Sequence, residues 1–180
     1  SRTFYRAYAF NQDISKWNTA KVQSFAGSFS DARAFNADVS KWSVSSATSM
    51  AAMFGRHSEA VVGTMYDLNL NLSLWQVGRV TFMNGMFHGV KFAGDISEWD
   101  VSNVRNMDQM FGSDPGHFGW MNDGTNVDIS KWNISSVTNL RATFAGLTNF
   151  NCDLSKWITS RVANLAYTFF KAESFNSDLS

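Results

Sequence analysis

A short motif that recurs along the whole chain constrains the fold more than any other feature of the sequence. Residues 10–17 read Phe-Asn-Gln-Asp-Ile-Ser-Lys-Trp, and five related copies follow, ending at Trp42, Trp75, Trp99, Trp132 and Trp157. Consecutive Trp residues are 25, 33, 24, 33 and 25 positions apart. One unit of this length cannot bury its own apolar residues, so the units must stack on one another.

The apolar residues within each unit predict a strand followed by a helix. The residue two positions after each Trp is β-branched, which favours a strand with both side chains on one face: Thr19, Val44, Val77, Val101, Ile134 and Thr159. Further apolar residues stand five, eight and twelve positions after Trp, a spacing typical of a short helix. Possible helix caps precede them at Ser45, Ser102, Ser135 and Ser160. Stacked copies therefore predict an α/β right-handed solenoid, with a parallel sheet on one face and short helices on the other.

We expect residues 1–180 to form a single solenoid segment of a longer repeat array. The segment contains about six full units, with insertions at 55–67 and 112–124. Residues 1–4 match the end of a unit, and residues 175–180 begin a seventh copy. Solenoids normally end in atypical capping units, and this sequence shows none. We therefore expect this segment, produced alone, to associate through its ends.

The motif Phe-Asn-x-Asp-Ile-Ser-x-Trp is followed by Val-Ser-x-Val-x-Asn-Met-x-x-Met-Phe, as in residues 101–111. This combination resembles the repeat of the BspA-like leucine-rich-repeat surface proteins, over essentially the whole chain except the insertions. The resemblance implies a leucine-rich-repeat-like solenoid that is extracellular or attached to the cell surface. It also implies a role in adhesion or protein binding, and it carries over no catalytic residue.

Composition excludes several classes of protein. The chain is 44% hydrophobic and 17% charged, has one Pro, and carries no net charge, which is unlike a disordered or collagen-like sequence. No apolar run approaches the roughly 18 residues that cross a bilayer, so we expect no membrane span in this segment. Zero net charge gives no general attraction to nucleic acid, and we expect no nucleic-acid partner.

The repeated Trp, Asp and Asn residues have both structural and binding interpretations. The Trp residues could form an exposed platform for sugars, but their register with the β-branched positions favours the core. The Asp residues at 13, 38, 95, 128, 153 and 178 could share calcium ions, but each precedes a Ser by two positions, which favours a local Asx turn. The Asn residues two positions before these Asp positions are expected to form a ladder of amides that bond to loop backbone.

His57, His88 and His117 follow the last Phe of successive units, so they could line one edge as a metal site. We favour the alternative that they are unrelated surface residues. Because almost every polar side chain belongs to the repeat, the sequence contains no unique catalytic constellation. We therefore expect no enzyme activity, no cofactor and no resident metal.

Residues adjacent to each Trp should project outward and form a continuous polar surface. Together with two aromatic residues of the second insertion, they are the candidate interaction surface: Lys16, Lys41, Gln76, Asp100, Lys131, Asn133, Lys156, Phe118 and Trp120. This surface could simply keep the protein soluble. Our leading hypothesis is a non-enzymatic module for adhesion or protein–protein interaction, with an unknown protein, matrix or glycan partner. The alternatives are a building element of an extracellular filament or sheath, and a glycan-binding solenoid.

Overall fold

Equivalent positions of successive units bond to one another, so the chain forms a stack of units. The computed structural model describes residues 1–56, 65–112, 122, 125 and 127–179. We number the units by their Trp residues, from the first with Trp17 to the sixth with Trp157. Parallel bridges join the residue seven positions after each Trp to its counterpart in the next unit: Ser24, Ser49, Phe82, Asn106, Asn139 and Asn164.

Regular secondary structure is sparse within the ranges that the structure describes. Two strands are present there, β1 (Asp67–Leu68) and β2 (Lys91–Phe92). They pair in parallel, with Asp67 opposite Lys91 and Leu68 opposite Phe92. No α-helix occurs in these ranges, and none of them supplies a helix that could span a membrane. The predicted α/β architecture of strand and helix units, with a sheet on one face and helices on the other, is therefore wrong.

In place of the predicted helix, each unit contains a run of four-residue turns that also bonds to the next unit. In the first unit the N–H groups of Phe25 and Gly27 donate to the carbonyls of Ser49 and Ala51, both at 2.9 Å. The N–H of Ser28, the residue after Gly27, donates back to the carbonyl of Phe25 at 3.0 Å. A helix would bond every N–H within its own segment. Here alternate N–H groups leave the unit, and this pattern ties the stack together.

The distance between units explains why a helix is excluded from this segment. The Phe rings twelve positions after each Trp form a column, with ring centroids 5.5–6.2 Å apart from one unit to the next. Packed helices need axes about 8–10 Å apart. An apolar spacing of three and four residues therefore reflects consecutive tight turns in this protein.

The segment around each Trp, where we predicted a strand, also consists of turns. The Trp N–H donates to the carbonyl three residues earlier in all six units, as in Trp99 to Ile96 at 3.1 Å. The residue five positions after Trp donates to the β-branched position, as in Val104 to Val101 at 2.9 Å. The Ser residues expected to cap helices instead lie within turns. The N–H of Ser102, for example, donates to the carboxylate of Asp100 at 3.1 Å.

The residue ten positions after each Trp adopts a left-handed backbone conformation. Its φ lies between 50° and 64° in all six units, at Gly27, Ala52, Gly85, Gln109, Ala142 and Tyr167. Gly adopts this conformation without steric cost, whereas a side chain disfavours it. The N–H groups of the first five residues donate to carbonyls of the next unit, and these hydrogen bonds hold the left-handed conformation there.

The core runs along the inside of the stack as columns of equivalent side chains. The β-branched positions are buried in the first five units, and Thr159 of the sixth is exposed. The Phe column and Met residues such as Met83 and Met107 complete the same cluster. The prediction that apolar positions of the repeat face a shared interior is confirmed for these columns.

Candidate interaction surface

Each Trp after Trp17 links its own unit to the preceding one through its indole nitrogen. Trp42 Nε1 donates to the carbonyl of Ile14, and Trp75 Nε1 to that of Val39, each at 3.0 Å. Trp99, Trp132 and Trp157 make the same bond at 3.0, 3.0 and 3.4 Å. The Trp side chain thus fills the core and pairs a backbone carbonyl of the neighbouring unit.

The burial of the Trp residues shows that most of them belong to the core and do not form a platform for sugars. Trp42, Trp75, Trp99 and Trp132 are only 3–6% exposed, and Trp157 is half-buried. Trp17 is 50% exposed. The core prediction is confirmed for the four inner residues, and the row offers no continuous aromatic platform.

The repeated Asp side chains form the predicted turns. Asp13, Asp38, Asp95, Asp128 and Asp153 each accept the backbone N–H of the Ser two positions later, at 2.9–3.0 Å. Asn71, which replaces Asp in the third unit, does the same with Ser73 at 3.2 Å. Hydrogen bonds from the hydroxyl and the backbone N–H of this Ser favour the charged carboxylate, so they lower the pKa of all five Asp residues. The Asx-turn prediction is confirmed in these six units.

The Asn ladder is also confirmed where the structure describes it. The side-chain oxygen of Asn11 accepts the N–H of Asn36 at 2.8 Å, and that of Asn36 accepts the N–H of Asn69 at 2.9 Å. Asn151 and Asn176 repeat the contact at 2.9 Å. These amides bond backbone from unit to unit, so they hold the loops in register.

Seven of the predicted surface residues form an exposed row beside the Trp core. We name this row the polar strip: Lys16, Lys41, Gln76, Asp100, Lys131, Asn133 and Lys156, all of which are exposed. It runs over turns and not over a sheet. The Trp residues behind it stack closely, with ring centroids 6.3 Å apart for Trp17 and Trp42. Neighbouring units therefore present their strip residues side by side.

One ion pair joins a residue of the polar strip to Glu98 of the neighbouring unit. Lys131 Nζ bonds to the carboxylate of Glu98, and both side chains are well exposed. The hydrogen bond from Lys131 to Glu98 raises the pKa of the lysine. Exposed pairs of this kind contribute little to stability. The contact does show that the residues before Trp in these two units, Glu98 and Lys131, are within reach of one another.

Of the remaining predicted residues, some lie outside the part of the chain that the structure describes. Phe118 and Trp120 of the candidate surface, as well as His57 and His117, lie outside the described residues. His88 is buried, and its Nδ1 lies 2.7 Å from the carbonyl oxygen of Gly112. The prediction that the histidines are surface residues is therefore wrong for His88. Within the described ranges, no group of three or more His, Cys, Asp and Glu side chains is arranged to hold a metal ion.

Sequence reasoning missed a buried polar cluster at the base of the first insertion. Asp31 is 0% exposed and Arg56 is 1% exposed, although both are charged residues. Tyr66 Oη donates to the carbonyl of Phe54 at 2.8 Å. Burial lowers the pKa of Arg56 and raises that of Tyr66. These residues do not belong to the apolar pattern of the repeat, so its periodicity does not predict their burial.

The third unit has two exposed apolar side chains, Leu74 and Phe82, and sequence reasoning missed the second of them. Leu74 is 74% exposed and stands in the position that Lys occupies in four other units. Phe82 is 48% exposed at a position that is polar in the other five units. Each departs from the residue type of its column, and that departure is the signal that could have identified it.

Comparison with known proteins identifies the repeat at the level of its family. No curated protein and no solved structure matches the chain. The family described as "Mycoplasma protein of unknown function, DUF285" matches three overlapping segments, residues 1–61, 57–119 and 115–180. The distance from Trp17 to Trp75 is 58 residues, so one match corresponds to about two structural units. Since these matches cover the chain from end to end, it belongs to this family of tandem repeats.

Proposed function

We propose that this chain is a non-enzymatic interaction module that binds another protein at the cell surface or outside the cell. The polar strip is the proposed binding surface. The observation that carries this proposal is the exposure of all seven strip residues along one continuous row of six units. Stacked repeats commonly use such an extended surface for binding.

The backbone that carries the strip is held on both sides, which favours binding. Behind it, buried Trp residues such as Trp99 bond to the preceding unit. Along it, Asx turns such as those of Asp100 with Ser102 and Asn133 with Ser135 fix the chain after each Trp. A preordered surface loses less conformational entropy when a partner binds.

The location and the adhesive role rest on the resemblance to BspA-like surface repeats. The BspA-like resemblance is a more specific assignment than the family match. The leucine-rich-repeat architecture that it implies is not the architecture of this stack of turns. The shared motif, as in residues 101–111, nevertheless supports a surface or extracellular location. Brief protease treatment of intact cells that carry the protein tests this point. Loss of its peptides from intact cells is expected, and their full protection would contradict a surface location.

Binding to extracellular-matrix proteins tests the proposed surface. The test variant replaces Lys16, Lys41 and Lys156 by Ser. The control replaces Lys21, Arg79 and Arg161, three exposed cations four positions after Trp, by Ser. Both variants lose the same charge, so general electrostatic attraction falls equally in each.

Immobilised fibronectin, laminin and collagen, with heparin for comparison, provide the ligands for biolayer interferometry. We expect at least one matrix protein to bind, with affinity about tenfold weaker for the strip variant and nearly unchanged for the control. Equal loss in both variants, or binding to heparin alone, would contradict a specific protein-binding strip.

A further inference from the structure

The third unit lacks a hydrogen bond that each of the other five units makes on its outer side. In those units a Ser or Asn stands seven positions after Trp, and its side-chain oxygen accepts the backbone N–H two residues later at 2.9–3.4 Å. Phe82 occupies this position in the third unit, and its side chain has no acceptor. The N–H of Asn84 therefore has no hydrogen-bond partner among the residues that the structure describes.

The Phe82 ring is exposed although it lies in the interior of the stack of units. Ser49 of the second unit and Asn106 of the fourth unit bridge to Phe82 from either side, so its exposure does not depend on where the stack ends. The ring is 48% exposed, whereas the adjacent Met83 is fully buried. Phe82 and Asn84 flank Met83, so both side chains lie on the outer side of the unit.

The choice of Phe at this position does not stabilise the protein by itself. It removes a turn hydrogen bond and leaves an apolar ring in water, and each change disfavours the folded state. Aromatic residues are enriched where proteins contact one another, because a partner removes the ring from water. The combination of an exposed ring with a free backbone donor therefore indicates a contact surface.

An unpaired cation gives this surface its charge. The N–H of Arg105 donates to the carbonyl of Thr81 at 2.9 Å, which places Arg105 beside the residue that precedes Phe82. Arg105 is exposed, and its guanidinium has no hydrogen bond or ion pair with any described residue. Asp108 of the same unit is already paired with Arg141 at 3.4 Å. The surface therefore has one unbalanced positive charge, which favours an acidic partner.

We infer that this surface binds an extended acidic segment of another protein, in which Glu or Asp stands two positions from an aromatic or large apolar residue. The surface is named the Phe82 site and consists of the Phe82 ring, the N–H of Asn84 and the guanidinium of Arg105. The apolar side chain of the segment packs on Phe82, its carboxylate pairs with Arg105, and a backbone carbonyl accepts the N–H of Asn84.

The spacing of the repeat units matches such a segment. Residues two apart on an extended chain lie on one face, about 6.5–7 Å from each other. Equivalent Phe rings of adjacent units are 5.5–6.2 Å apart. One face of the segment can therefore contact Phe82 of the third unit and Arg105 of the fourth. An anionic polysaccharide would pair with Arg105 but would have no apolar side chain to cover the ring.

The Phe82 site is separate from the polar strip, so its test is independent of the proposed function. Strip residues adjoin Trp, whereas Phe82 and Asn84 follow Trp75 by seven and nine positions. Leu74, the other exposed apolar residue of the third unit, stands beside the strip and provides a matched control.

Binding of a labelled peptide to the complete 180-residue chain tests the inference. The peptide Ser-Glu-Ser-Phe-Ser-Glu-Ser presents Phe between two Glu on one face, and its sequence is the same in both directions. Fluorescence anisotropy at about 0.15 M salt, where distant charges are screened, measures its affinity. We expect saturable binding of one peptide per chain. Replacement of both Glu by Lys, or of Phe by Ser, should weaken binding at least about tenfold.

Variants of the protein separate binding from stability. Phe82→Asn gives the third unit the residue that the next three units carry. It should weaken binding at least about tenfold and yet raise the urea midpoint, because the N–H of Asn84 gains an acceptor. Arg105→Gln should weaken binding at least about threefold. The controls Leu74→Gln and Lys21→Gln, which remove another exposed apolar residue and another exposed cation, should change it less than about twofold.

Three results would overturn the inference. The first is the absence of saturable peptide binding, and the second is equal binding by the parent protein and Phe82→Asn. The third is an equal loss in Arg105→Gln and Lys21→Gln, because general electrostatic attraction would then explain the binding. Binding of dextran sulfate that depends on Arg105 but not on Phe82, without binding of the peptide, would overturn it in favour of an anionic polysaccharide site.

Discussion

The indole nitrogen of Trp99 donates a hydrogen bond to the backbone carbonyl of Leu72, 3.0 Å away and 27 residues earlier in the chain. Both residues are buried in the core of the stack. The same bond recurs between the other neighbouring units, so the side chain that fills the core also satisfies a carbonyl that water cannot reach. Loss of the nitrogen and loss of the ring should therefore have separable costs.

Replacement of Trp99 by Phe should destabilise the protein by about 0.5–1.5 kcal/mol, because the carbonyl of Leu72 loses one of its two donors and keeps only the N–H of Trp75. Trp99→Ala should cost more, about 3–5 kcal/mol, since it also leaves a cavity. Urea unfolding followed by circular dichroism measures both values. Trp17→Phe is the control, because Trp17 is half exposed. Equal costs for Trp99→Phe and Trp17→Phe would show that the hydrogen bond contributes nothing.

Acid should weaken the Asx turns of the repeated Asp residues. Hydrogen bonds from the following Ser hold the pKa of these carboxylates below their unfolded value of about 3.9. A lowered folded pKa stabilises the protein above about pH 4, and this contribution is lost as the pH falls through the folded pKa.

A variant with Asn at positions 13, 38, 95, 128 and 153 should keep the turns, as Asn71 does, but lose this titration. Urea midpoints at pH 6 should therefore stay close to those of the parent protein. Between pH 4 and pH 2 the parent should lose more stability than the variant. Identical pH dependence in the two proteins would show that these carboxylates do not cause the loss of stability in acid.

The left-handed position of the second unit should tolerate Gly better than Ala. Ala52 has a φ of 53°, and a side chain in this region costs about 1–2 kcal/mol. Ala52→Gly should therefore leave stability unchanged or raise it by up to about 1 kcal/mol, despite the greater freedom of Gly in the unfolded chain. The neighbouring Ala51→Gly should lower it by about 0.5–1 kcal/mol. Thermal unfolding of the two variants decides the point, and a larger loss at Ala52 than at Ala51 would contradict it.

The Tyr66 hydroxyl should contribute measurably to the stability of the protein, because its hydrogen bond is buried. It donates to the carbonyl of Phe54, a buried residue at the start of the first insertion. Tyr66→Phe should cost about 1–3 kcal/mol, because the buried carbonyl then loses this donor. Tyr5→Phe, at an exposed site, should cost less than about 0.5 kcal/mol. Differential scanning calorimetry compares them, and similar melting temperatures for the two variants would count against a structural role for this contact.

Features that depend on the repeat period or on adjacent residues could be predicted from the sequence. Burial of Trp99 follows from its register with Val101, and the turn of Asp95 with Ser97 follows from their two-residue spacing. Exposure of the polar strip was also predicted, although a sheet was assumed beneath it. These predictions hold because they need only the local geometry of one unit.

The backbone conformation could not be predicted in the same way. A spacing of three and four residues, as from Val104 to Met107 and Phe111, is shared by a helix and by consecutive tight turns. The two differ in where alternate N–H groups bond, which depends on the distance between units. Likewise, Asp31 and Arg56 are charged residues that are nevertheless buried. The apolar periodicity of the repeat could not predict their burial.

The hydrogen bonds between units have a mechanical consequence. Those of Phe25 and Gly27 join one unit to the next, so they lie along the stacking direction. A tensile load applied along the stack is then shared at each junction by all of its bonds at once. Since a unit contacts only its neighbours, failure at one junction leaves the others loaded as before. Extension should therefore proceed by discrete ruptures, each of which releases whole units, and the weakest junction should set the force of the first rupture.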